Sequence, residues 1–416
     1  MTPARPVTPV SVEYRRTTFL PFAVPDIGEE EIEAVVEVLR SGWITTGPQA
    51  QAFEREFAQA IGVPYAIAVN SCTAALHLAL EAIGVGPGDE VLTSTITFTA
   101  TAEVVEYLGA RTRFLDVDQA TLNLTPDGVR NAIQRLYVPR GGEWFARDTG
   151  GRLRALVPVH FGGQMCDMAE LTVVAQEFGI AMVDDAAHAF PASRDGIRVG
   201  QTGDATAFSF YATKTISTGE GGMLTTSNPA IAERARLMSL HGISRDAWKR
   251  YSAEGSWFYE VVQAGYKYNL TDIAAALGRV QLRRADAMTA RRASIADRYA
   301  AAFEELAGIE RPTSRPGIAN AWHLYPIRLR LERLSIDRAQ AIEELRALQI
   351  GVSVHFIPLH RQPFYANRYA YRPAAFPVAE REFPRLISLP IYSKMTDEDV
   401  DSVIHAVTAV VTRFQR

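Results

Sequence analysis

Short apolar runs alternate with longer amphipathic segments through the first two thirds of the chain. The runs that predict buried strands lie at 65–69, 90–94, 112–117, 155–159 and 180–184. The segments with helical periodicity lie at 32–39, 73–83, 101–108 and 169–178, and Asp26 is a candidate N-cap for the first of them. This alternation predicts an α/β fold in which a mostly parallel sheet lies between two layers of helices. The glycine-rich stretch at 138–154 interrupts it and predicts a surface hairpin or a loop at the rim.

The pattern changes near residue 285, inside a long Ala- and Arg-rich helical segment that runs from 271 to about 306. Beyond it, strand-like runs at 323–331 and 352–356 flank a helical segment at 337–348. The predicted divisions are an extended arm over 1–20, a large domain over 21–285 and a smaller α+β domain over 286–416.

The chain has 416 residues, a formal net charge of −4 and a hydrophobic content of 47%. These values are typical of a soluble globular protein and provide no global field that would attract nucleic acid or an anionic membrane. No apolar run approaches the ~20 residues that span a bilayer, and the amino terminus lacks the apolar core of a signal peptide. The two cysteines, Cys72 and Cys166, fit neither a disulfide framework nor a metal site, so we expect a cytoplasmic protein without a metal.

Lys214 lies in a small polar loop between two strand-like runs at 205–210 and 223–226. Partial desolvation in such a loop lowers the pKa of a lysine towards the neutral, nucleophilic amine. An amine of that kind can bind the aldehyde of pyridoxal phosphate covalently. A solvated loop lysine is the alternative, so the neighbouring motifs decide between the two interpretations.

Asp185 and His188 follow the strand predicted at 180–184. A carboxylate at that point can pair with the pyridine nitrogen of pyridoxal phosphate and keep it protonated, which makes the ring a better electron sink. His188 can stack on the ring or hydrogen-bond to Asp185, and Phe98, after another strand, can cover the outer face of the ring. The alternatives are an acidic strand end that caps a helix and a phenylalanine that belongs to the core.

A further strand passes directly into a helix at 69–77, where free N–H groups and the helix dipole favour an anion. The residues that predict a phosphate seat there are Ser71, Cys72 and Thr73, with the hydroxyl of Ser209 from the loop that carries Lys214. An ordinary N-cap is the alternative. The sequence has no GxxxxGK[ST], GxGxxG or GxSxG motif, which removes the usual support for nucleotide hydrolysis, hydride transfer and serine hydrolysis.

Together these motifs resemble the DegT/DnrJ/EryC1/StrS family of sugar aminotransferases, a group with the fold type I of pyridoxal phosphate-dependent transferases. The resemblance runs from about residue 21 to the carboxyl terminus. The matching segments lie, in the order of the family, at 41–48, 70–76, 185–188, 209–222, 241–242, 265–272, 323–325 and 389–390.

The resemblance implies an enzyme that converts a keto group on a nucleotide-linked sugar to an amine, with L-glutamate as the donor. Lys214 is then the lysine that binds the cofactor and transfers protons, Asp185 pairs with the pyridine nitrogen, and His188 lies beside it. The phosphate ligands implied are Thr73, Ala74 and Ser209.

The family also consists of homodimers with shared active sites, so the segment at 265–272 is expected to reach the phosphate in the other subunit. Lys267 and Asn269 stand where many relatives have asparagine and arginine, and either of the two could meet that phosphate. This Lys-Tyr-Asn form resembles a branch that aminates C4 of UDP-linked 4-keto sugars, which favours C4 over C3.

The candidates for binding the two phosphates of a sugar nucleotide are Arg245, Lys249 and Arg250, and a solvated basic helix face is the alternative. The residues proposed to line the sugar side are Thr46, His323, Tyr325 and His360, each of which could equally have a structural role.

Three other functions compete with the sugar aminotransferase. A sugar dehydratase of the same fold has histidine at the lysine position, a regulator without turnover would not need Lys214, and an aminotransferase for a cyclitol ketone would not need a nucleotide site.

Overall fold

The computed structural model describes residues 16–243 and 259–416. Its α-helices are α1 (Glu29–Ser41), α2 (Pro48–Ile61), α3 (Cys72–Ala82), α4 (Ala100–Tyr107), α5 (Pro126–Leu136), α6 (Met168–Phe178), α7 (Pro229–Met238), α8 (Asp272–Ala302), α9 (Arg338–Ala347), α10 (Pro363–Tyr369), α11 (Pro377–Glu382) and α12 (Asp397–Arg413). Its strands are β1 (Tyr65–Val69), β2 (Asp89–Ser94), β3 (Arg111–Leu115), β4 (Tyr137–Arg140), β5 (Glu143–Ala146), β6 (Arg152–Val157), β7 (Ala181–Asp185), β8 (Ser193–Arg194), β9 (Ile197–Arg198), β10 (Ala205–Ser209), β11 (Gly222–Thr226), β12 (Ile309–Glu310), β13 (Ile318–Ala319), β14 (Tyr325–Leu329) and β15 (Leu386–Leu389).

The central sheet has the strand order β1-β11-β10-β7-β6-β2-β3. Neighbouring strands from β10 to β3 are parallel, whereas β11 is antiparallel to both β1 and β10. The predicted mostly parallel α/β sheet is therefore confirmed. Because β1, β7 and β10 point in the same direction, their carboxyl ends meet at one edge of the sheet, and ligands of such sheets bind there.

Most predicted elements are found within a few residues of their expected bounds. The expected hairpin at 138–154 is confirmed as β4 and β5, which pair antiparallel beside β6. Two expectations were wrong. Gly28, not Asp26, is the N-cap of α1, and the segment at 352–356 is a loop in which only Ser353 makes an isolated bridge, to Ser388.

The helix α8 runs without interruption through position 285, where the sequence places a domain boundary. Met288 still packs in the core beneath the central sheet, whereas Ile295 and Tyr299 pack in a second core around β14 and β15. Leu20 also belongs to the second core, and its N–H donates to the carbonyl of Gln349 at 2.8 Å. The division at 285 stays a prediction, and α8 joins the two cores.

In the described part of the chain, no helix combines the length and the apolar character that crossing a membrane requires.

Candidate active site

A cavity of about 560 Å³ opens at the edge of the sheet where β1, β7 and β10 end. The strand ends contribute Asp185 from β7 and Ser209 from β10, and the N-terminal turn of α3 follows β1. The residue before β14 and the 352–356 loop contribute His323, Ser353, His355 and Phe356. The cavity therefore lies between the edge of the central sheet and two segments whose residues Trp322 and Val352 pack against the second core.

Lys214 is partly buried on the loop between β10 and β11, and its side chain lines the cavity. Its backbone N–H donates to the carbonyl of Tyr211 at 2.9 Å, which closes a tight turn. Its Nζ atom lies 3.4 Å from Nε2 of His323. Burial lowers the pKa of Lys214 to about 8, although the negative charges of Cys72 and Asp185 partly oppose this shift. A lysine with such a pKa is a competent base near neutral pH.

Asp185 is buried at the end of β7 and accepts two hydrogen bonds. The hydroxyl of Thr101 donates to Oδ2 at 2.6 Å, and the N–H of Ala187 donates to Oδ1 at 3.0 Å. Burial raises the pKa of Asp185, while these two donors and the charge of Lys214 oppose the increase. The carboxylate thus has neutral donors beside it and lacks a close cationic partner among the described residues.

Three histidines surround the Lys214 amine. The rings of His188 and His323 lie 4.4 Å apart, and Phe356 stacks on His188 at 5.7 Å. Burial lowers the pKa of each: well below the usual range for His188 and His323, and to about 4 for His355. Nδ1 of His188 accepts a hydrogen bond from the N–H of Gly162 at 3.3 Å, and among the described residues His188 donates none to Asp185. All three rings are therefore neutral at neutral pH.

The turn from β1 into α3 has the geometry of an anion seat. Ser71 is the N-cap, and its hydroxyl accepts from the N–H of Ala74 at 3.1 Å. The N–H groups of Cys72 and Thr73, at the first two positions of α3, then point out of the helix end. Gly222 packs directly beneath, since an added Cβ would lie 2.5 Å from the carbonyl carbon and oxygen of Ser71.

The comparisons with known proteins agree with this geometry. The model of the DegT/DnrJ/EryC1/StrS aminotransferase family matches residues 25–408. The spore coat polysaccharide biosynthesis protein SpsC of Bacillus subtilis is 47% identical over 398 residues, which cover 95% of this chain and 98% of that protein. The chain belongs to the DegT/DnrJ/EryC1/StrS aminotransferase family.

Solved structures of this family are similar along almost the whole chain. The putative sugar aminotransferase Spr1654 of Streptococcus pneumoniae, in its PLP form, has 33% identity and a TM-score of 0.84, and the match covers 95% of this chain and 99% of that one. PseC of Helicobacter pylori, an aminotransferase involved in the biosynthesis of pseudoaminic acid, has 25% identity and a TM-score of 0.85, with 96% and 100% covered. This member of the family is a sugar aminotransferase that uses pyridoxal phosphate.

The residues of the cavity fit that cofactor on three counts. The N-terminal turn of α3 offers N–H donors for the phosphate, and a side chain at Gly222 would fill the space beneath it. The buried carboxylate of Asp185 lacks the cation that a protonated pyridine nitrogen supplies. The amine of Lys214 faces the same cavity. Phe98, which is 58% exposed, lines the cavity as well and lies within reach of a bound ring.

Several residues predicted to bind the phosphate or the sugar lie elsewhere. Lys267 donates from Nζ to Asn269 Oδ1 at 2.6 Å, and Asn269 donates from Nδ2 to Thr46 Oγ1 at 2.7 Å. This chain of three side chains does not line the cavity of its own subunit. Arg245, Lys249 and Arg250 lie outside the described residues.

The placement of His360 and Tyr325 on the sugar side is wrong in this geometry. Both ring nitrogens of His360 are engaged, Nδ1 with Thr95 Oγ1 at 2.6 Å and Nε2 with Glu380 Oε1 at 2.7 Å. Tyr325 is buried in the second core, where it packs against Tyr299 and Trp322. Neither side chain lines the cavity.

Sequence reasoning missed Thr101 and His355, both of which act at the cavity. Thr101 lies in α4 and donates to Asp185, and Thr97 lies 2.7 Å from it, hydroxyl to hydroxyl. His355 lies in the loop that was predicted to be a strand, and its Nδ1 is 2.9 Å from the hydroxyl of Ser388. No local motif marks either residue, and only the packing of α4 and of the 352–356 loop against the sheet edge reveals them.

Proposed function

We propose that this enzyme aminates a keto sugar linked to a nucleotide, most specifically C4 of a UDP-linked 4-keto-6-deoxy sugar, with L-glutamate as the amino donor. The observation that carries the proposal is the lining of the Lys214 cavity. Apart from Lys214 itself, the described residues place no lysine or arginine there, and its polar groups are mainly hydroxyls and imidazoles, with the carboxylates of Asp185 and Glu220. Such polar groups suit the hydroxyl and keto groups of a sugar.

The wider setting supports the same substrate class. SpsC carries a name from polysaccharide biosynthesis, and PseC is described by its part in making pseudoaminic acid. The diphosphate of a nucleotide sugar needs positively charged partners, and Arg245 and Lys249, which lie outside the described residues, are the candidates. We also assign the reaction to the cytoplasm, as the cysteine content predicts.

Lys214 is the proposed general base and acid. Pyridoxal phosphate supplies, when bound, an electron sink that stabilises negative charge on the carbon that loses its proton. The neutral amine of Lys214 would take the proton from the α-carbon of glutamate and pass it to the cofactor. In the half-reaction with the sugar it would move a proton in the opposite direction. Its lowered pKa means that much of this amine is unprotonated near pH 8.

Asp185 and His188 are proposed to hold the cofactor ring. The carboxylate of Asp185, fixed by Thr101 and by the N–H of Ala187, would keep a positive charge on the pyridine nitrogen. The ring of His188, fixed by Gly162 and Phe356, provides a flat neutral surface beside it. The phosphate is assigned to the turn at Cys72, Thr73 and Ala74 and to the hydroxyl of Ser209.

We also propose a homodimer in which Lys267 and Asn269 complete the phosphate site of the other subunit. The support is their position. Lys267 is exposed, and the side chains of Lys267, Asn269 and Thr46 form a fixed polar row outside the cavity of their own chain. Fixed, exposed polar groups next to a sheet edge suit an intersubunit contact better than a core.

The direct test is turnover. The purified enzyme with pyridoxal phosphate is incubated with ¹⁵N-labelled L-glutamate and a UDP-linked 4-keto-6-deoxy sugar, and the product is analysed by mass spectrometry. We expect an amino sugar nucleotide that carries the label at C4, and none with the Lys214→Ala variant. Turnover of a cyclitol ketone, together with no UDP contact in saturation-transfer NMR, would refute the nucleotide-sugar assignment.

A further inference from the structure

Arg292 is a buried cation without a matching anion. Its side chain, on α8, is 3% exposed. No carboxylate of the described residues lies within 4 Å of its guanidinium, whereas the adjacent Arg291 pairs with Asp397 at 2.9 Å. Burying a charge is unfavourable unless the charge is paired or serves a purpose. This position therefore requires a physical reason other than an ion pair.

The guanidinium of Arg292 donates to two backbone carbonyls from different segments. Its Nη1 atom lies 2.6 Å from the oxygen of Ile391 and 3.3 Å from that of Trp322. Trp322 has a φ of 47°, in the left-handed region that a bulky residue rarely adopts. Arg292 thus joins the segment after β15 to a strained residue just before His323.

The position of the His323 ring depends on the backbone hydrogen bonds around it. The backbone on either side is held by Gly162 and Gly163, whose carbonyls accept from the N–H groups of Leu324 at 3.1 Å and Ala321 at 3.2 Å. The ring then lies with Nε2 3.4 Å from Lys214 Nζ, and its Nδ1 is buried without a partner. The N–H of Trp322 donates to Oδ1 of Asn320 at 2.9 Å, and the bond from Arg292 anchors the carbonyl of the same residue.

The charge of Arg292 acts on the same amine. The titratable groups that line the cavity with Lys214 are Tyr211 and Glu220 on its own loop, Cys72 on α3, Asp185 at the end of β7, His188 in the loop that follows, His323 before β14 and His355 in the 352–356 loop. Burial is the main cause of the lowered pKa of Lys214, Cys72 and Asp185 oppose it, and Arg292 reinforces it. Arg292 is therefore the one cationic side chain among the groups that shift the pKa of Lys214.

We propose that Arg292 is a positioning residue for the catalytic amine: through the carbonyl of Trp322 it holds the Trp322–His323 turn against Lys214. This inference rests on the proposed role of Lys214 as a base, but it does not depend on which sugar is the substrate.

The test compares Arg292→Gln, Arg292→Lys and the control Arg291→Gln. The control removes a neighbouring arginine that also donates to a backbone carbonyl, that of Met395 at 2.8 Å. The enzyme is converted with glutamate to its pyridoxamine phosphate form, in which Lys214 is free. A neutral acylating reagent then labels Lys214 over a range of pH, and the labelled peptide is quantified by mass spectrometry. The rate of the glutamate half-reaction is measured separately.

For Arg292→Gln we expect the midpoint of labelling to move up by about half a pH unit or more, because a nearby positive charge is lost. Arg292→Lys keeps the charge, so its midpoint should stay in place while the half-reaction slows about tenfold through loss of the two-carbonyl anchor. Arg291→Gln should change neither quantity.

A wild-type rate in Arg292→Lys would overturn the proposal, and a wild-type midpoint in Arg292→Gln would remove its electrostatic support. If Arg292→Gln does not fold, the rate of Arg292→Lys against that of Arg291→Lys still decides the positioning role. None of these readouts uses the sugar, so a wrong substrate assignment would leave them unchanged.

Discussion

Thr101→Val tests whether the hydrogen bond to Asp185 supports catalysis. Thr101 is fully buried, and its hydroxyl donates to Oδ2 of Asp185 at 2.6 Å. Valine keeps the shape of the side chain but removes the donor, so the pKa of Asp185 should rise further. A hydrogen bond to a charged group contributes about 1.5–3 kcal/mol, which corresponds to a rate loss of about 10-fold to 150-fold if it is fully expressed in the transition state.

The assay is single-turnover conversion of the cofactor by glutamate, followed by its absorbance, alongside urea unfolding. The matched control is Thr112→Val. Thr112 is equally buried, but its hydroxyl donates to the carbonyl of Ala102 at 3.1 Å and to Glu106 at 3.2 Å, away from Asp185. Both variants should lose comparable stability, and only Thr101→Val should lose the rate. Equal rates in the two variants would refute the argument that Thr101 tunes Asp185.

Three further results are expected. Gly222→Ala should weaken cofactor binding at least about tenfold in equilibrium dialysis, because the added Cβ would lie 2.5 Å from the Ser71 carbonyl. The control Gly86→Ala should bind the cofactor normally, because nothing lies within 4 Å of the Cβ added there. The half-reaction that starts with free Lys214 should slow as the pH falls below about 8, because a protonated amine is no base; a flat profile from about pH 6 to 8 would contradict this. Mixing inactive Lys214→Ala with Asn269→Ala subunits should restore part of the activity if sites are shared, and no recovery after subunit exchange would count against the shared site.

The positions of Lys214, Asp185 and Ser209 could be predicted because each follows a short apolar strand. In a parallel sheet, the carboxyl ends of such strands share one edge, so local patterns translate into spatial proximity. The anion-binding geometry of the turn from β1 into α3 could be predicted in the same way from the passage of a strand into a helix. These inferences needed only the order of strands and helices.

The remaining part of the site depends on packing between distant segments. Thr101 lies in the first turn of α4 without a motif that marks it, and Arg292 lies within an Arg-rich stretch where nothing distinguishes it from Arg291. His360 shows the opposite error, because a histidine near the expected sugar side is instead saturated by Thr95 and Glu380. The strand expected at 352–356 failed because the loop there follows the cavity wall instead of joining the sheet edge.

The most direct test of the central claim is the chemical state of Lys214 in the enzyme with its cofactor. The protein is reduced with borohydride and digested, and the peptide that contains Lys214 is examined by mass spectrometry. The account predicts that the ε-nitrogen of Lys214 carries the reduced cofactor. An unmodified Lys214 peptide, or the cofactor fixed on a different lysine, would contradict it.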